Sequence, residues 1–119
     1  MVCVGLLIDA WFSPTPAHAT QFNPWERAQA SYYTLYGNRT SCGKTAGASA
    51  WFVASLKRDT ANCGRRVTIC HLRRCVQVTV QDRGAWRSDD RRWDLQPRVK
   101  AALRCSDLCS VRWRRGWAS

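Results

Sequence analysis

Two aspartates, Asp82 and Asp94, have the clearest potential for acid–base chemistry in this sequence. Asp82 continues an alternation of valines over residues 76–80, so its carboxylate is predicted to leave the strand on the core side, at the mouth of the fold. Partial removal from water there would favour the protonated carboxylic acid, which can act as a general acid. Adjacent Arg83 would have the opposite effect if its guanidinium folded back onto the carboxylate.

Aromatic side chains indicate a second chemistry, the binding of sugars. The sequence has seven Trp and three Tyr, more than a domain of this size can hide completely. Exposed aromatic rings stack on the apolar faces of sugars, while neighbouring donors bind the hydroxyl groups. We predict sugar contacts from Tyr33, Trp86 and Trp93, and we place Trp51 and Trp113 in the core.

The cysteine content indicates an oxidising compartment. The chain has seven cysteines, and removal of its first 19 residues would take away Cys3 and leave an even number. Six cysteines in about 100 residues are typical of an exported domain with three disulfides. These cysteines are Cys42, Cys63, Cys70, Cys75, Cys105 and Cys109.

Spacing narrows the pairing of these cysteines. The alternation on either side of a loop at His71–Arg74 predicts two half-buried strands, with a cysteine at each end of the loop on the polar face and within disulfide reach. Another close pair could form a short local bridge, which would leave the last two cysteines for each other. The pairing favoured in this way is Cys70–Cys75, Cys105–Cys109 and Cys42–Cys63.

A zinc site is the alternative use of these cysteines. It would combine His71 with four of them, but Cys-x4-Cys with Cys-x3-Cys matches the usual spacings of zinc ligands poorly. We therefore expect no metal and no cofactor, and we expect His71 to be an exposed loop residue remote from the aspartates.

The elements that must position these residues are short. One helix is predicted at Pro97–Leu103, with a proline near its first position. Gly-rich and polar segments at 37–47 and 84–90 predict a loop and a turn. Many short strands, one short helix and bridged loops favour a small closed β-barrel. The strands are predicted at 30–36, 51–55, 67–70, 75–81 and 111–117.

Length and charge limit the function. A chain of 119 residues allows one folded domain with one core, which excludes a multidomain enzyme. Lys and Arg total 19 against 8 Asp and Glu, which gives a net charge of +11. Anionic partners are therefore expected, and arginine suits carboxylates and phosphates because its guanidinium binds them bidentately. Arg83 is therefore also predicted to contact the substrate.

The first residues are predicted to be an export signal. An apolar run precedes Ala17-His18-Ala19, which has the form of a signal-peptidase site, so cleavage is expected after residue 19. The run lacks a preceding Lys or Arg and contains Asp9, which indicates a truncated or misassigned start; a poorly ordered arm is the alternative. Residues 20–29 are predicted to be a linker or arm. Because no apolar segment approaches the length of a membrane span, we expect a secreted monomer.

Several fragments in one order resemble the rare lipoprotein A (RlpA-like) family, which is similar to the N-terminal domain of expansins. They extend over about residues 30–115, and we assign residues 30–117 to one domain of this kind. The fragments are Ala30-Ser31-Tyr32-Tyr33, Gly37-Asn38-Arg39-Thr40-Ser41-Cys42-Gly43, Cys63-Gly64, Val80-Gln81-Asp82-Arg83-Gly84, Arg92-Trp93-Asp94-Leu95 and Val111-Arg112-Trp113.

The resemblance implies a six-stranded double-psi β-barrel that acts on cell-wall polysaccharide such as peptidoglycan. It associates Asp82 with lytic glycan cleavage and Asp94 with expansin-like wall loosening, and it matches Thr40 to a hydroxyl that lines the groove. A lytic transglycosylase can use one residue as acid and then base, because the 6-hydroxyl of the sugar displaces the leaving group. The family's catalytic histidine is absent, since the stretch 53–64 contains no His and offers Ser55 or Arg58 in its place.

Three classes of function remain open at this point. The first is a transglycosylase-like enzyme acting through Asp82, and the second is a non-catalytic, expansin-like wall binder. The third is a secreted defence or inhibitor module of the barwin-like kind. In a structural alternative, Asp82 forms a turn with a local ion pair to Arg83, and Asp94 caps or braces the following helix. Nucleic acid is not expected as a partner, because the export signal and the cysteines are those of a secreted protein.

Overall fold

The described part of the chain folds into a small closed barrel of six strands with one α-helix. The computed structural model describes residues 24–34 and 36–117, so the predicted export signal and its cleavage site lie outside the described residues. The elements in chain order are β1 (Glu26–Tyr32), β2 (Phe52–Ser55), a 3-10 turn (Arg58–Thr60), β3 (Arg66–His71), β4 (Arg74–Arg83), β5 (Arg91–Leu95), α1 (Pro97–Leu103) and β6 (Leu108–Arg115).

The barrel mixes parallel and antiparallel pairing. The order of strands around it is β1-β5-β2-β4-β3-β6, and β6 closes the barrel onto β1. β1 pairs with β5 and β2 with β4 in parallel, whereas the other neighbours are antiparallel. A closed sheet leaves no edge strand open to another chain. The expected six-stranded barrel with one helix is confirmed.

The core is filled by the inward residues of the alternating strands. Trp93 of β5 and Trp113 of β6 are both fully buried, and their rings meet edge to face with centroids 5.3 Å apart. Such an aromatic pair adds about 1 kcal/mol to the burial of its area. Around it lie the aliphatic side chains Val53, Val67, Ile69, Val78, Val80, Leu95, Val99 and Leu103.

Trp93 was predicted to contact sugar, and the structure contradicts this because the side chain is 0% exposed. Along β5, Trp93 and Leu95 face the core and alternate with Arg92 and Asp94, which are less buried. The period of two therefore assigns Trp93 to the core. Trp113 is buried as expected, and Trp51 is only partly buried against the core.

Several strand limits differ from the predicted ones. β1 begins at Glu26 and ends at Tyr32, so it includes residues assigned to the arm and stops short of residue 36. The strand begins with two charged residues, Glu26 and Arg27, and both pair in register with residues of the neighbouring strand β6. β5 was not predicted from its pattern, and β6 starts at Leu108, three positions earlier than expected. The helix has the predicted limits, with a proline in its first turn.

The three predicted disulfides are all present. They join Cys42 to Cys63, Cys70 to Cys75 and Cys105 to Cys109. All four cysteines of the zinc alternative are therefore joined in disulfides. One detail was wrong: Cys75 is exposed as expected, but Cys70 is fully buried and lines a cavity with Trp25 and Leu72.

Three disulfides in so small a domain are typical of an extracellular protein. Within residues 24–34 and 36–117, no helix combines the length and the apolar character that crossing a bilayer requires.

The Trp93–Trp113 contact predicts a stability effect. Trp93→Leu should lower the free energy of unfolding by about 2–4 kcal/mol, because it leaves a cavity against Trp113 in a packed core. Urea unfolding with the disulfides intact measures this. Trp86→Leu, at a Trp that is 40% exposed, is the matched control and should change stability by less than about 1 kcal/mol. Equal effects at the two positions would contradict the packing described here.

Candidate functional site

Asp82, near the end of β4, is held by four hydrogen bonds. Its Oδ1 accepts bonds from the backbone N of Ser41 at 3.0 Å, the Ser41 hydroxyl at 3.2 Å and the backbone N of Arg83 at 2.9 Å. Its Oδ2 accepts a bond from the hydroxyl of Tyr33 at 3.0 Å. The residue is 9% exposed, so its predicted removal from water is confirmed. The carboxylate thus connects the loop after β1 to the end of β4.

Asp94 lies on the other side of β2. Ala54 of β2 is in register with Asp82 on one side and with Asp94 on the other. Because neighbouring strands are about 4.8 Å apart, the two aspartate Cα atoms are separated by about 10 Å. Asp94 Oδ1 accepts a 2.6 Å hydrogen bond from the Ser31 hydroxyl on β1. Topology therefore brings both predicted acids to one end of the barrel.

The two aspartates are nevertheless not equivalent. Asp82 is buried, and the register between β2 and β4 shifts between Val53 and Ala54, next to its partner position. Asp94 lies on the opposite side of its strand from Trp93 and is only half-buried. One acid is thus enclosed by donors of the protein itself, and the other is more accessible.

Tyr33 follows β1 and is electrostatically coupled to both acids. Burial raises the pKa of the Tyr33 phenol well above its usual value near 10, and the charge of Asp82 and its hydrogen bond raise that pKa further. The charge of Asp94 acts in the same direction. The phenol therefore remains a donor to Asp82. Its ring, half-buried at this end of the barrel, is the part left to contact a sugar.

Thr40 lies on the loop that covers Asp82. Its backbone N donates to the carbonyl of Lys44 at 2.7 Å, and its hydroxyl accepts a bond from the Lys44 backbone N at 3.0 Å. The Thr40 hydroxyl therefore shapes the loop, while its own proton is left for another acceptor. The disulfide between Cys42 and Cys63 fastens the same loop to the segment that precedes β3.

Arg83 supports this end of the barrel instead of pairing with the neighbouring acid. Its Nε donates to the carbonyl of Ala61 at 2.9 Å, and its Nη2 lies 3.7 Å from Cys63 Sγ. The local ion pair of the structural alternative is thus not formed by its guanidinium. These contacts of Arg83 instead stabilise residues 61–63, the segment that contains the disulfide-bonded Cys63.

Trp86, in the segment after β4, is the most accessible of the predicted sugar contacts. It is 40% exposed, and the guanidinium of Arg58 lies 4.7 Å from its ring centroid. Arg58 holds the ring in place by a cation–π contact. A held, exposed ring loses little side-chain freedom on binding, which favours its use as a stacking surface.

The place of the missing histidine is occupied by structural groups. Ser55 is fully buried, and its hydroxyl lies 2.8 Å from both the Lys57 carbonyl and Thr60 Oγ1. His71 lies at the hairpin end of β3, where a ring nitrogen is 2.9 Å from the Leu103 carbonyl. It is half-buried, not exposed as expected, and it is remote from the aspartates.

Sequence reasoning missed three polar residues of this site. Ser31 and Ser41 bind the two carboxylates, and buried Gln96 accepts a 3.1 Å bond from the backbone N of Gly47 through its Oε1. Only Ser41 had a signal, since it directly follows Thr40 in a loop of Gly, Asn, Ser and Thr. The partners of Ser31 and Gln96 depend on strand pairing, which the sequence did not reveal.

Comparisons with known proteins identify the fold. No family model matches the sequence, and no curated protein matches it. Among solved structures, an apo expansin of Clavibacter michiganensis superposes with a TM-score of 0.65 at 18% identity, over 81% of this chain and 52% of that chain. A mutant of that expansin in complex with cellohexaose gives 0.61 at 15% identity over the same shares. The Streptomyces papain inhibitor gives 0.63 at 19% identity, over 79% of this chain and 96% of that chain.

These likenesses show an expansin-related double-psi β-barrel fold, as the resemblance implied. The chain spans about half the length of the two expansin structures and corresponds to nearly the whole of the papain inhibitor. The fold is thus one that occurs both as part of a longer expansin and as a protein of single-domain size.

The bond between Tyr33 and Asp82 predicts a pH-dependent effect. Tyr33→Phe should destabilise the fold by about 1 kcal/mol at neutral pH, because it removes a donor from a buried carboxylate. Since the folded pKa of Tyr33 is raised, its stabilising contribution is complete below the unfolded value near 10 and is lost as pH rises towards the folded value. The stability difference between wild type and variant should therefore shrink above about pH 10. Urea unfolding from pH 7 to 11 measures it, and a difference constant with pH would refute the coupling.

Proposed function

We propose that this domain binds an extracellular wall polysaccharide at the end of the barrel that carries the aspartates, and that it binds without cleaving the chain. The observation that carries the proposal is the environment of Asp82. Both of its oxygens already accept bonds from groups of the protein. A general acid must instead present a proton to the leaving oxygen of a substrate.

The rest of the site supports binding over cleavage. Two-carboxylate glycoside hydrolysis needs both groups directed at one scissile bond, whereas Asp82 is enclosed by donors of the protein and Asp94 is bonded to Ser31. Ser55, at the position of the missing histidine, is buried and bonded internally. Lytic cleavage through Asp82 would therefore have no available proton donor and no second catalytic residue at the position of the missing histidine.

Polysaccharide is the favoured ligand because of the surface around the aspartates. The ring of Trp86, the half-buried ring of Tyr33 and the free hydroxyl proton of Thr40 offer stacking and hydrogen bonding together, which is the combination that sugars require. The structural neighbour in complex with cellohexaose makes a β-linked glucan a reasonable first probe. Peptidoglycan is the second probe, because the resemblance to the rare lipoprotein A family implies it.

A second candidate function is inhibition of a cysteine protease. It is favoured by the papain inhibitor, which this chain matches over 96% of that protein's length. The loop after β1 is fastened by Cys42–Cys63, and a loop constrained in this way can bind a protease cleft at low entropic cost. A papain activity assay with equimolar protein tests it directly.

Sedimentation with cellulose and with purified peptidoglycan tests the first candidate. The wild-type protein should be retained by at least one polymer at moderate salt, and no soluble or anhydro-sugar products should appear. Trp86→Ala should weaken retention about tenfold, the size expected for the loss of one stacking ring. Trp117→Ala is the matched control, since Trp117 is 41% exposed and also carries a stacked arginine.

Asp82→Asn separates binding from cleavage. The asparagine oxygen can keep the bonds from Ser41 and Arg83, and its amide can donate to the Tyr33 oxygen, so the loop should remain in place and retention should stay within about twofold of wild type. Products formed by wild type and abolished in this variant would overturn the non-catalytic proposal. Absence of retention on every wall polymer, together with inhibition of papain, would favour the second candidate.

A further inference from the structure

Three cavities lie side by side around the β3–β4 hairpin, at the end of the barrel away from the aspartates. Their volumes are about 370, 710 and 650 Å³. Trp25 lines the first two, Leu72 lines the first and the third, and Arg73 and Arg74 line the second and the third. The cavities therefore form one continuous grooved surface.

Arginines dominate this surface, which we call the basic face. Of the described residues that line the three cavities, Glu26 is the sole acid, and it is bonded to Arg115 at 3.4 Å. The ion pairs within the described part of the chain involve none of Arg27, Arg73, Arg74, Arg104 and Arg112. The basic face consists of Arg27, Arg73, Arg74, Arg104, Arg112 and Arg114.

Like charges on this face are held close together by the sheet. Arg27 of β1 lies directly opposite Arg112 of β6 in the register of the strands. Directly opposed like charges destabilise a pair of strands. The Nη1 of Arg112 donates to the Leu72 carbonyl at 3.0 Å, which holds this guanidinium at the hairpin tip. A bound polyanion would neutralise this repulsion, so the closeness of the charges favours such a ligand.

The backbone gives an independent indication at the same place. Within the described residues, only two non-glycine positions have positive φ: Leu72 and Arg104, each at 54°. Glycine would be favoured at both positions, yet a leucine and an arginine are found there. The two residues line the same 650 Å³ cavity. Strained backbone of this kind is concentrated at binding sites.

The aromatic rings of the basic face indicate which polyanion fits. The guanidinium groups of Arg112 and Arg114 lie 5.3 and 4.8 Å from the centroid of Trp25, and Arg98 lies 4.9 Å from that of Trp51. Single-stranded nucleic acid needs open rings on which its bases can stack. Here the rings already pack against arginines. These contacts fix the orientation of the guanidinium groups, which suits bidentate binding of carboxylates.

We infer that the basic face binds an acidic polysaccharide, a chain of sugars bearing carboxylate groups. The inference rests on the proposed function in one respect, that the partner is an extracellular glycan, but it assigns a separate surface. β4 has ten residues, with Arg74 at one end and Asp82 near the other. At about 3.3 Å per residue the two surfaces lie roughly 25–30 Å apart, so each can be tested without altering the other.

Binding of polygalacturonate, a uronate homopolymer, to the full chain tests this inference. Arg73→Gln/Arg74→Gln removes two exposed charges from the hairpin and should weaken binding about tenfold at low salt. Arg66→Gln/Arg87→Gln removes the same charge from exposed positions outside the basic face and should weaken it less than about threefold. Wild-type affinity should fall steeply between about 0.05 and 0.5 M salt, because exposed charges are screened.

Three results would overturn the inference. Equal losses in the two double variants would show that net charge alone drives binding. Tighter binding of a single-stranded oligonucleotide of equal charge would identify nucleic acid as the partner. An absence of polygalacturonate binding at low salt would show that the basic face does not bind acidic polysaccharide. Retention on cellulose, which carries no charge, should be unchanged in Arg73→Gln/Arg74→Gln, which separates failure of this inference from failure of the proposed function.

Discussion

The structure of the candidate site depends on one buried carboxylate. Asp82 bonds at once to the loop after β1, to the phenol of Tyr33 and to its own neighbour on β4. An unpaired carboxylate at this depth would be costly, and four donors offset that cost. The covering loop, in turn, has its position fixed by this acid and by one disulfide. The burial of Asp82 thus fixes the position of the loop.

Much of the fold was predictable because period and spacing are local properties. Alternation of residues predicted that Asp82 is removed from water. The two-strand pattern around residues 71–74 predicted one disulfide, and the other two were predicted from the remaining cysteines. The failures have a common origin. β5 carries Arg92 and Asp94 between its core residues, and its charges are stabilised by partners distant in sequence, such as Asp59 for Arg92 at 2.7 Å.

The misassignment of Trp93 follows from the same limitation. A tryptophan in a charged segment has the composition of a sugar-binding surface, and only its pairing partners show that it faces the core. The guanidinium of Arg92 lies 4.7 Å from the centroid of the Trp113 ring. A charged residue therefore packs against the core. Ser31 and Gln96 were missed for a related reason, since their roles exist only once β1 and the loop have reached their partners.

Arginine has two separate uses in this molecule, and the difference explains why composition alone gave an ambiguous answer about partners. Arg83 and Arg92 bond to carbonyls, carboxylates or rings and are part of the framework. Arg73 and Arg74 have neither an ion pair nor a ring contact among the described residues. A net charge of +11 therefore overstates the free charge, and what matters for recognition is where the unpaired guanidinium groups lie. Arg73 and Arg74 lie at one end of β4 and Asp82 lies near the other, so the exposed charge of the hairpin acts on an anionic polymer at a distance from the candidate site.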